Sequence, residues 1–195
     1  VVDSVQWVRR VLAAGIRTVQ LRIKDPQEPT LAVQIKESIA IARATPGAQL
    51  FINDHWQLAL EHGAYGVHLG QEDLDALTPE ELQTLRDSGL RLGVSTHGYA
   101  EMVRADAVGP SYIAMGAVFP TTLKKMATAP QGLGRLASYA KLMKNYPQVA
   151  IGGIGQEQFA EVLATGVGSI AVVRALANAH QPEEAAASLM AAMRG

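Results

Sequence analysis

Short apolar stretches that are typical of β-strands alternate with helical patterns along this chain. Strands and helices that alternate in this way form parallel sheets joined by right-handed crossovers. Seven such stretches lie at residues 17–22, 49–53, 66–69, 91–95, 111–115, 148–151 and 169–172, and Val1-Val2 adds a fragment of an eighth. Eight parallel strands close a TIM barrel. The sequence therefore predicts an α/β fold, a single compact (β/α)8 barrel over residues 1–195 with a first strand truncated at its amino end.

Helical patterns fill the intervals between these strands. Ser4 and Thr30 are placed to begin the first two helices, and Thr78 forms a capping box with Glu81. Further helices are predicted at 55–62, 101–108, 133–144, 156–164 and 182–193. The alternative architecture is an open doubly wound sheet with a ligand at its switch point. A Gly-x-Gly-x-x-Gly turn after the first strand, which would favour that alternative, is absent from the sequence.

The composition narrows the class of protein. The 195 residues have a net charge of -1, are 48% hydrophobic and contain no Cys. The absence of Cys excludes disulfides and Cys nucleophiles. The net charge near zero argues against a general nucleic-acid surface. No apolar stretch approaches the roughly 20 residues of a membrane-spanning helix. We therefore expect a cytoplasmic protein that acts on small molecules, without a nucleic-acid or membrane partner, and the sequence leaves its oligomeric state open.

Two carboxylates follow apolar strand stretches. Asp54 comes directly after the strand at 49–53, and Asp73 follows the strand at 66–69. The carboxyl ends of parallel strands share one rim of a barrel, so both acids are expected where catalytic groups collect. Mg²⁺ is commonly held by one or two carboxylates, with waters and substrate phosphates as its other ligands. The alternative is structural, with Asp54 capping a helix that begins at His55 and Asp73 opening a turn.

A basic segment ends the strand at 17–22. The alternation of side chains along a strand puts Gln20, Arg22 and Lys24 on one face and Leu21 and Ile23 on the other. Arg forks onto phosphate oxygens and Lys supplies a point charge, so the first face suits an anion better than a core. The alternative is a solvated strand end whose cations pair with the acids at positions 25 and 28.

Polar residues also end the next strands. Asn53 is expected to meet a ligand heterocycle, with an Asx-type turn as the alternative. Ser95 has His97 two residues away but no Gly-x-Ser-x-Gly turn around it. We therefore expect Ser95 to donate a hydrogen bond to a substrate rather than to act as a nucleophile. His62 and His68 are interpreted as structural residues.

The predicted loops of the second half of the chain contain phosphate-binding patterns. Residues 119–125 concentrate hydroxyls and cations, so Thr121, Thr122 and Lys124 are candidates for a phosphate clamp, with a solvated lid as the alternative. Gly152-Gly153 follows the strand at 148–151, and Val173-Arg174 ends the last strand. Loops after the last two strands of a barrel commonly bind phosphate through glycine N–H groups.

Six motifs, in order along the chain, resemble those of thiamine phosphate synthases: QLRIKD, INDHWQLAL, GVHLGQED, LGVSTH, GAVFPTTLKK and AIGGI. The resemblance extends over essentially the whole chain. It implies a (β/α)8 enzyme that joins hydroxymethylpyrimidine diphosphate to a thiazole phosphate, or its carboxylate form, and releases thiamine phosphate and diphosphate with Mg²⁺. Such a reaction needs no protein nucleophile, because the pyrimidine's amino group stabilises the positive methylene left when diphosphate departs.

The resemblance also implies a role for each site residue. Asp54 and Asp73 would hold Mg²⁺, and the residues implied in catalysis are Arg22, Lys24, Ser95 and Lys124. The residues implied to contact the pyrimidine diphosphate are Gln20, Leu21, Arg22, Ile23, Lys24, Asn53, Ser95 and Lys124. The residues implied at the thiazole phosphate are Thr121, Thr122, Leu123, Gly153, Val173 and Arg174.

Two positions depart from the pattern that is usual in the resembled family. That family usually has Thr where this chain has Leu123, and Ser where it has Arg174, both at the expected thiazole-phosphate pocket. Related proteins of this fold serve as thiazole tautomerases, so an isomerase and a non-catalytic regulatory barrel are the alternatives. The synthase is favoured by Arg22, Lys24, Lys124 and the two Asp residues, because a tautomerase has no diphosphate or Mg²⁺ to hold. We expect Arg174 to compensate for Leu123.

Overall fold

The computed structural model describes residues 1–121 and 129–193 and has an α/β fold. Its sheet contains seven strands that follow one another in chain order. They are β1 (Thr18–Leu21), β2 (Gln49–Asn53), β3 (Gly66–Leu69), β4 (Arg91–Thr96), β5 (Tyr112–Met115), β6 (Gln148–Ile151) and β7 (Ser169–Ala171). The pairs β1 with β2, β2 with β3, β5 with β6 and β6 with β7 are parallel. The seven predicted strands are confirmed, with ends shifted by at most one residue.

The expected eighth strand is represented by a single residue. Val2 forms an isolated parallel bridge with Leu21. The Val2 N–H donates to the Gln20 carbonyl at 2.9 Å, and the Arg22 N–H donates to the Val2 carbonyl at 2.7 Å. A single bridge lacks the repeated ladder of a strand. A complete eight-stranded barrel is therefore not shown by the residues that the structure describes.

Helices connect the strands, and two of them were not predicted. The helices are α1 (Val5–Ala13), α2 (Leu31–Ala44), α3 (Trp56–Glu61), α4 (Gln71–Ala76), α5 (Pro79–Asp87), α6 (Tyr99–Val108), α7 (Gly132–Leu142), α8 (Phe159–Leu163), α9 (Arg174–Ala177) and α10 (Pro182–Ala192), with a 3₁₀ turn at Gln156–Gln158. Helices α4 and α9 were not predicted, because these short segments of 6 and 4 residues have no clear apolar repeat. Among the described helices, none has the length and apolar character needed to cross a membrane.

Two helix starts follow the sequence prediction. The Ser4 hydroxyl accepts a hydrogen bond from the Trp7 N–H at 3.4 Å, which begins α1. The Thr78 hydroxyl accepts from the Glu81 N–H at 3.2 Å, and the Glu81 carboxylate accepts from the Thr78 N–H at 2.9 Å. This reciprocal capping box satisfies two N–H groups that lack intrahelical partners, so it fixes the residue at which α5 begins.

Contacts divide the chain into two compact units, Val1–Gly93 and Val94–Gly195. In the first unit, β2 and β3 are buried along almost their whole length, as expected of parallel strands that are covered on both faces. The register pairs Asn53 with His68, so the carboxyl ends of β2 and β3 lie side by side. The core of this unit includes Val8, Ile35, Leu50, Ile52, Val67 and Leu69.

In the second unit, the segments that follow β5 and β6 are bonded to each other. The Val118 N–H donates to the Ile151 carbonyl at 3.0 Å, and the Phe119 N–H donates to the Gly152 carbonyl at 2.9 Å. These two bonds continue the pairing of β5 with β6 beyond the strands themselves. They fix the position of one loop against the other. The expectation of one domain over residues 1–195 stays a prediction.

Candidate active site

Asp54 lies in a tight turn directly after β2. Its φ of 64° is in the left-handed region, which few residues other than Gly adopt. Its N–H donates to the carbonyl of His68 on β3 at 3.0 Å, which anchors the turn to the neighbouring strand. Helix α3 begins at Trp56 with His55 as its N-cap residue. The interpretation of Asp54 as a helix cap is therefore wrong, and its carboxylate is available for another role.

Asp73 is the third residue of the short helix α4. Its Oδ2 atom accepts a hydrogen bond from the Gly70 N–H at 2.9 Å, so the side chain reaches back across the first turn of the helix. Asp73 therefore helps to begin a helix rather than opening a turn. A carboxylate that is tied at one oxygen has a restricted orientation, which is useful for a metal ligand.

The carboxyl groups of Asp54 and Asp73 lie close enough to share a hydrogen bond when one of them is protonated. Burial raises the pKa of Asp54 from 3.8 to about 6, and the charge of Asp73 and the shared hydrogen bond act in the same direction. The nearby charges of Arg22 and His55 lower it. Two carboxylates this close repel each other when both are ionised. The pair is therefore a place where a divalent cation would be stabilised.

The basic segment after β1 has the alternating burial that the sequence predicts. Leu21 and Ile23 are 1% and 8% exposed, whereas Arg22 is half-buried and Lys24 is exposed. Arg22 lies near enough to Asp54 for its charge to act on that carboxyl group. The structure thus brings Arg22, Asp54 and Asp73 together within the first unit. The contact of this segment with a diphosphate stays a prediction, as do the substrate contacts of Gln20.

The alternative partners of this basic segment already accept hydrogen bonds within their own loop. Oδ1 of Asp25 accepts from the Gln27 N–H at 2.9 Å. Oε1 of Glu28 accepts from the Thr30 hydroxyl at 2.7 Å. Both acids therefore have local roles in shaping the connection from β1 to α2, and these roles do not depend on a salt bridge with Arg22 or Lys24.

Polar residues end β2 and β4 as the sequence predicts. Asn53 is 6% exposed at the end of β2, and Ser95 is half-buried near the end of β4. The His97 Nδ1 atom lies 2.8 Å from a carboxylate oxygen of Glu101, and the same oxygen accepts from the His97 N–H at 2.7 Å. The expectation that Ser95 does not act as a nucleophile with His97 stays a prediction. The substrate contacts of Asn53 and Ser95 stay predictions.

The two glycines after β6 lie in close contact with the loop after β5. Gly153 has a φ of 70°, and a Cβ atom there would lie 2.6 Å from the Pro120 carbonyl oxygen and 2.8 Å from that of Phe119. Gly152 has a φ of 100°, and its Cβ would lie 2.5 Å from the Cβ of Ala117. Only glycine fits such a backbone, because both the conformation and the space exclude a side chain.

The remaining residues predicted at the thiazole phosphate belong to the second unit. Val173 is half-buried and precedes α9, while Arg174 is exposed as the first residue of that helix. Thr121 is half-buried at the end of the described loop. The predictions for Thr122 and Leu123, and the separate prediction of Lys124 at the pyrimidine diphosphate, concern positions outside the described residues. A phosphate contact of any of these six residues stays a prediction.

Known proteins match this chain over nearly its full length. The thiamine monophosphate synthase (TMP-TENI) family matches residues 2–176. The chain belongs to this family. Thiamine-phosphate synthase of Salmonella paratyphi B is 54% identical over 191 residues, which are 98% of this chain and 89% of that protein. The protein of the same name from Citrobacter koseri is 53% identical over 191 residues, with the same coverage of 98% and 89%.

A solved structure agrees with this membership of the thiamine monophosphate synthase family. Thiamine phosphate pyrophosphorylase from Pyrococcus furiosus has a TM-score of 0.83 with this chain at 31% sequence identity. The match covers 97% of this chain and 89% of that one. The residues matched by the family, 2–176, include every predicted site residue from Gln20 to Arg174.

Sequence reasoning missed one contact beside the carboxylate pair in the first unit and one contact after β4 in the second unit. The Nε2 atom of His55 lies 3.4 Å from the carbonyl oxygen of Ile23, which joins the turn after β2 to the basic segment after β1. Glu101 holds His97 after β4. The position of His55 directly after Asn53-Asp54 was a signal for its contact with Ile23. The spacing of four residues between His97 and Glu101 was the signal for their contact.

Proposed function

We propose that this protein joins hydroxymethylpyrimidine diphosphate to thiazole phosphate and releases thiamine phosphate and diphosphate. Thiamine-phosphate synthase is the name of relatives that are 53% to 54% identical to this chain over almost its full length. The structural observation that carries the proposal is the contact of Asp54 with Asp73, with Arg22 beside them. Two acids and a cation in one place suit a diphosphate that is bound together with a divalent metal.

The residues present fit Mg²⁺. The pKa of Asp54 is raised because its charge is buried and repelled by Asp73, and a divalent cation would offset both effects. No group of three or more His, Asp or Glu that could hold a metal occurs among the residues that the structure describes. Mg²⁺ does not need one, since waters and substrate phosphates complete its ligand set. Asp54 and Asp73 are the proposed ligands, and Mg²⁺ bound there would supply charge neutralisation for the diphosphate.

The first chemical step separates charge, and the basic segment is suited to it. The bond between the pyrimidine methylene carbon and a diphosphate oxygen breaks, and its electron pair leaves with the diphosphate. The pyrimidine's amino group donates electron density to the positive methylene. Arg22 and Lys24 stabilise the negative charge that grows on the diphosphate, which is the kind of interaction that lowers a barrier. Lys124 is proposed for the same role.

Binding and orientation are the remaining tasks of the first substrate's site. Asn53 hydrogen-bonds the pyrimidine ring, and Ser95 donates its hydroxyl to the same substrate. The segment of Gln20, Leu21 and Ile23 contributes backbone and side-chain contacts around the diphosphate. Because the ring and the diphosphate are both held, the methylene carbon is presented to the incoming nitrogen, and positioning of this kind accounts for a large part of many rate enhancements.

The second step forms the new carbon–nitrogen bond. The lone pair of the thiazole nitrogen attacks the methylene carbon, so no proton has to be removed by a protein base. The thiazole phosphate is proposed to bind to the N–H groups around Gly153, Val173 and Arg174. Thr121, Thr122 and Leu123 are the residues proposed for its other side. The bare backbone of Gly153 supports this assignment, because a phosphate approaches N–H groups most closely where no side chain intervenes.

The complete barrel and the cellular location are also proposals. We propose that residues 1–195 form one (β/α)8 domain, because the Val2 bridge to Leu21 extends the parallel series by one strand position beyond β1. A location in the cytoplasm stays a prediction of the sequence. A crystal structure of a chain with further residues before Val1 tests the eighth strand directly, since a complete strand would pair with β1 over several residues.

One experiment tests the proposed reaction. Purified protein is mixed with both substrates, with Mg²⁺ or with a chelator, and thiamine phosphate and diphosphate are measured by liquid chromatography. We expect equal amounts of both products, and only with Mg²⁺. Thiazole isomerisation without Mg²⁺ would identify a tautomerase instead. Binding of either substrate without any product would identify a regulatory protein.

A further inference from the structure

The turn that carries Asp54 consists of two consecutive three-residue turns. The Asn53 carbonyl accepts from the His55 N–H at 2.8 Å, which closes a γ-turn centred on Asp54, where φ is 64°. The Asp54 carbonyl accepts from the Trp56 N–H at 2.7 Å, which closes an inverse γ-turn centred on His55, where φ is -77° and ψ is 62°. Turns of the first type are rare and strained, so they persist only where the surroundings hold them.

Two contacts outside the turn hold it in place. The Asp54 N–H bonds to the His68 carbonyl at 3.0 Å, which fixes the turn to β3. The Nε2 atom of His55 lies 3.4 Å from the Ile23 carbonyl oxygen, which fixes the turn to the segment after β1. A carbonyl oxygen only accepts, so Nε2 carries the hydrogen in this contact.

The Ile23 carbonyl belongs to the segment that also carries Arg22. The Arg22 N–H is bonded to the Val2 carbonyl at 2.7 Å on the other side of the segment. The His55 side chain therefore holds the segment on the side of the carboxylates. Arg22 is one of the two groups whose charge favours ionisation of Asp54. The contact of His55 with Ile23 therefore lies next in the chain to the cation that acts on Asp54.

We propose that His55 is a positioning residue, which holds the Arg22–Lys24 segment against the Asp54 turn so that the cation and the two carboxylates have fixed separations. The proposal rests on the function proposed above, because it assigns His55 a part in binding Mg²⁺ with diphosphate. His55 acts through Ile23 and has no contact with a reacting atom in this role. Its effect should therefore appear in metal–diphosphate binding and not in binding of the thiazole phosphate.

Three variants separate this role from a general loss of structure. His55→Ala removes the donor, whereas His55→Gln keeps an Nε2 donor at a similar reach from the backbone. His62→Ala is the matched control, because His62 follows the other end of the same helix, α3, with its Nε2 atom 4.0 Å from the carboxylate of Glu61. Binding of inorganic diphosphate with Mg²⁺ is measured by titration calorimetry, and thiazole-phosphate binding is measured in parallel.

We expect His55→Ala to weaken binding of Mg²⁺–diphosphate by about threefold to tenfold, the range of one net hydrogen bond. Thiazole-phosphate binding should stay unchanged in this variant. His55→Gln should recover most of the loss, and His62→Ala should bind as the parent does. Unchanged metal–diphosphate binding in His55→Ala would overturn the proposal, as would an equal loss in His55→Gln with the parent's melting temperature.

A second measurement does not depend on the proposed reaction. Hydrogen exchange of backbone amides, followed by mass spectrometry, reports how firmly the peptides around residues 22–24 and 53–56 are held. His55→Ala should accelerate exchange in both peptides, and unchanged exchange at 22–24 would overturn the proposal. If the parent does not bind Mg²⁺–diphosphate, the proposed metal site fails, whereas faster exchange in His55→Ala would still support the contact of His55 with the segment.

Discussion

The carboxyl groups of Asp54 and Asp73 lie within hydrogen-bonding reach of each other, although a strand end supplies one group and a helix start supplies the other. Each is held independently, Asp54 through its N–H to the His68 carbonyl and Asp73 through its Oδ2 to the Gly70 N–H. The backbone of Asp54 and the carboxylate of Asp73 are thus each fixed in position. Burial and the nearby charge of Asp73 raise the pKa of Asp54 to about 6. A proton and a divalent cation thus compete for the same pair of oxygens.

Binding of Mg²⁺ should weaken as the pH falls through about 6. The folded-state pKa of Asp54 lies above its ordinary value of 3.8. In the metal-free protein, protonation of Asp54 therefore adds to the free energy of unfolding. This contribution is fully present below pH 3.8 and is lost as the pH rises through about 6. Mg²⁺ binds the ionised carboxylate, so bound Mg²⁺ restores free energy of unfolding at the higher pH. We expect Mg²⁺ to raise the melting temperature, measured by scanning fluorimetry, more at a pH of about 7.5 than at about 5.

The control for this pH dependence is Asp54→Asn. Asn tolerates the left-handed conformation and cannot ionise, so the fold should survive while the dependence disappears. We expect Mg²⁺ to change the melting temperature of this variant little at either pH. A stabilisation by Mg²⁺ that is equal at both pH values in the parent would show that Asp54 is not the titrating ligand.

Two substitutions of Asp73 should separate its metal role from its role at the start of α4. Asp73→Asn keeps an oxygen that accepts from the Gly70 N–H but removes the charge. It should lose nearly all Mg²⁺-dependent turnover while its unfolding free energy changes little. Asp73→Ala should lose the turnover and also about 1 kcal/mol of stability, the typical cost of a missing helix-start acceptor.

Turnover assays and urea unfolding check this pair of variants together. Asp54→Ala should likewise lose nearly all turnover while the chain still folds, because Asp54 lies in a turn and not in the core. Turnover at the parent's level in Asp73→Asn would mean that the metal assignment is wrong. Equal stability of Asp73→Ala and Asp73→Asn would show instead that the bond to Gly70 contributes nothing.

Arg22→Ala should lower kcat by about 10²-fold or more, because removal of a group that stabilises transition-state charge has effects of that size. The effect should be larger on kcat than on KM, since negative charge on the diphosphate grows as its bond breaks. Lys124→Ala should behave in the same way. Arg17→Ala is the control, since Arg17 precedes β1 and donates to the carbonyls of Leu12 and Ile16.

Steady-state kinetics with both substrates measure these differences. Arg17→Ala should keep the parent's kcat and KM, although it loses two hydrogen bonds of the fold. A rise in KM without a change in kcat for Arg22→Ala would assign Arg22 to substrate binding alone. A similar loss of kcat in Arg17→Ala would mean that general stability, and not charge beside Asp54, causes the effect.

The strands were predictable because their apolar stretches are separated by clear helix and turn signals. Each stretch gains from burial in a parallel sheet, so the local pattern and the final fold agree. The position of Asp54 was also predictable as a strand end. Its left-handed backbone was not, because that conformation depends on the bond to His68 and on the His55 contact with Ile23. Such contacts join residues that are distant in sequence.

Helix α4 illustrates a second limit of prediction. Asp73 was interpreted as a turn residue, since Asp favours turns and the 6 residues of α4 have no clear apolar repeat. The hydrogen bond to Gly70 decides in favour of a helix. The pairing of Asp73 with Asp54 could be expected from two adjacent strand ends. The approach of their carboxyl groups to within hydrogen-bonding reach depends on the orientation of both side chains, which the sequence pattern does not contain.

Gly153→Ala should weaken thiazole-phosphate binding strongly. The new Cβ would lie 2.6 Å from the Pro120 carbonyl oxygen, so the loop after β5 or the glycine itself must move. Gly109→Ala is the matched control, because Gly109 has a φ of 72° and nothing within 4 Å of its Cβ position. Gly109→Ala should lose about 1 kcal/mol of stability from the left-handed backbone, and Gly153→Ala should lose more because its Cβ also meets backbone carbonyl oxygens. Only Gly153→Ala should also lose at least tenfold in phosphate affinity, measured by calorimetry.

Equal affinity in the two glycine variants would show that the contact of Gly153 with the loop after β5 does not shape a phosphate site. A loss of the whole fold in Gly153→Ala is distinguishable by circular dichroism. In that case Gly153→Ser should not fold either, because its Cβ meets the same carbonyl oxygen. Retained phosphate binding in a folded Gly153→Ala would exclude Gly153 from the second substrate's site.

Arg174→Ser should weaken thiazole-phosphate binding by about tenfold or more if Arg174 compensates for Leu123. A lost hydroxyl donor to a charged phosphate costs about 1.5 to 3 kcal/mol, and a charge-assisted Arg contact can offset that amount. Arg174 is exposed at the start of α9, so its side chain has room to reach a ligand. Adding Leu123→Thr to Arg174→Ser should recover part of the affinity, which a double-mutant cycle measures. Unchanged affinity in Arg174→Ser would show that only the backbone N–H at this position serves the phosphate.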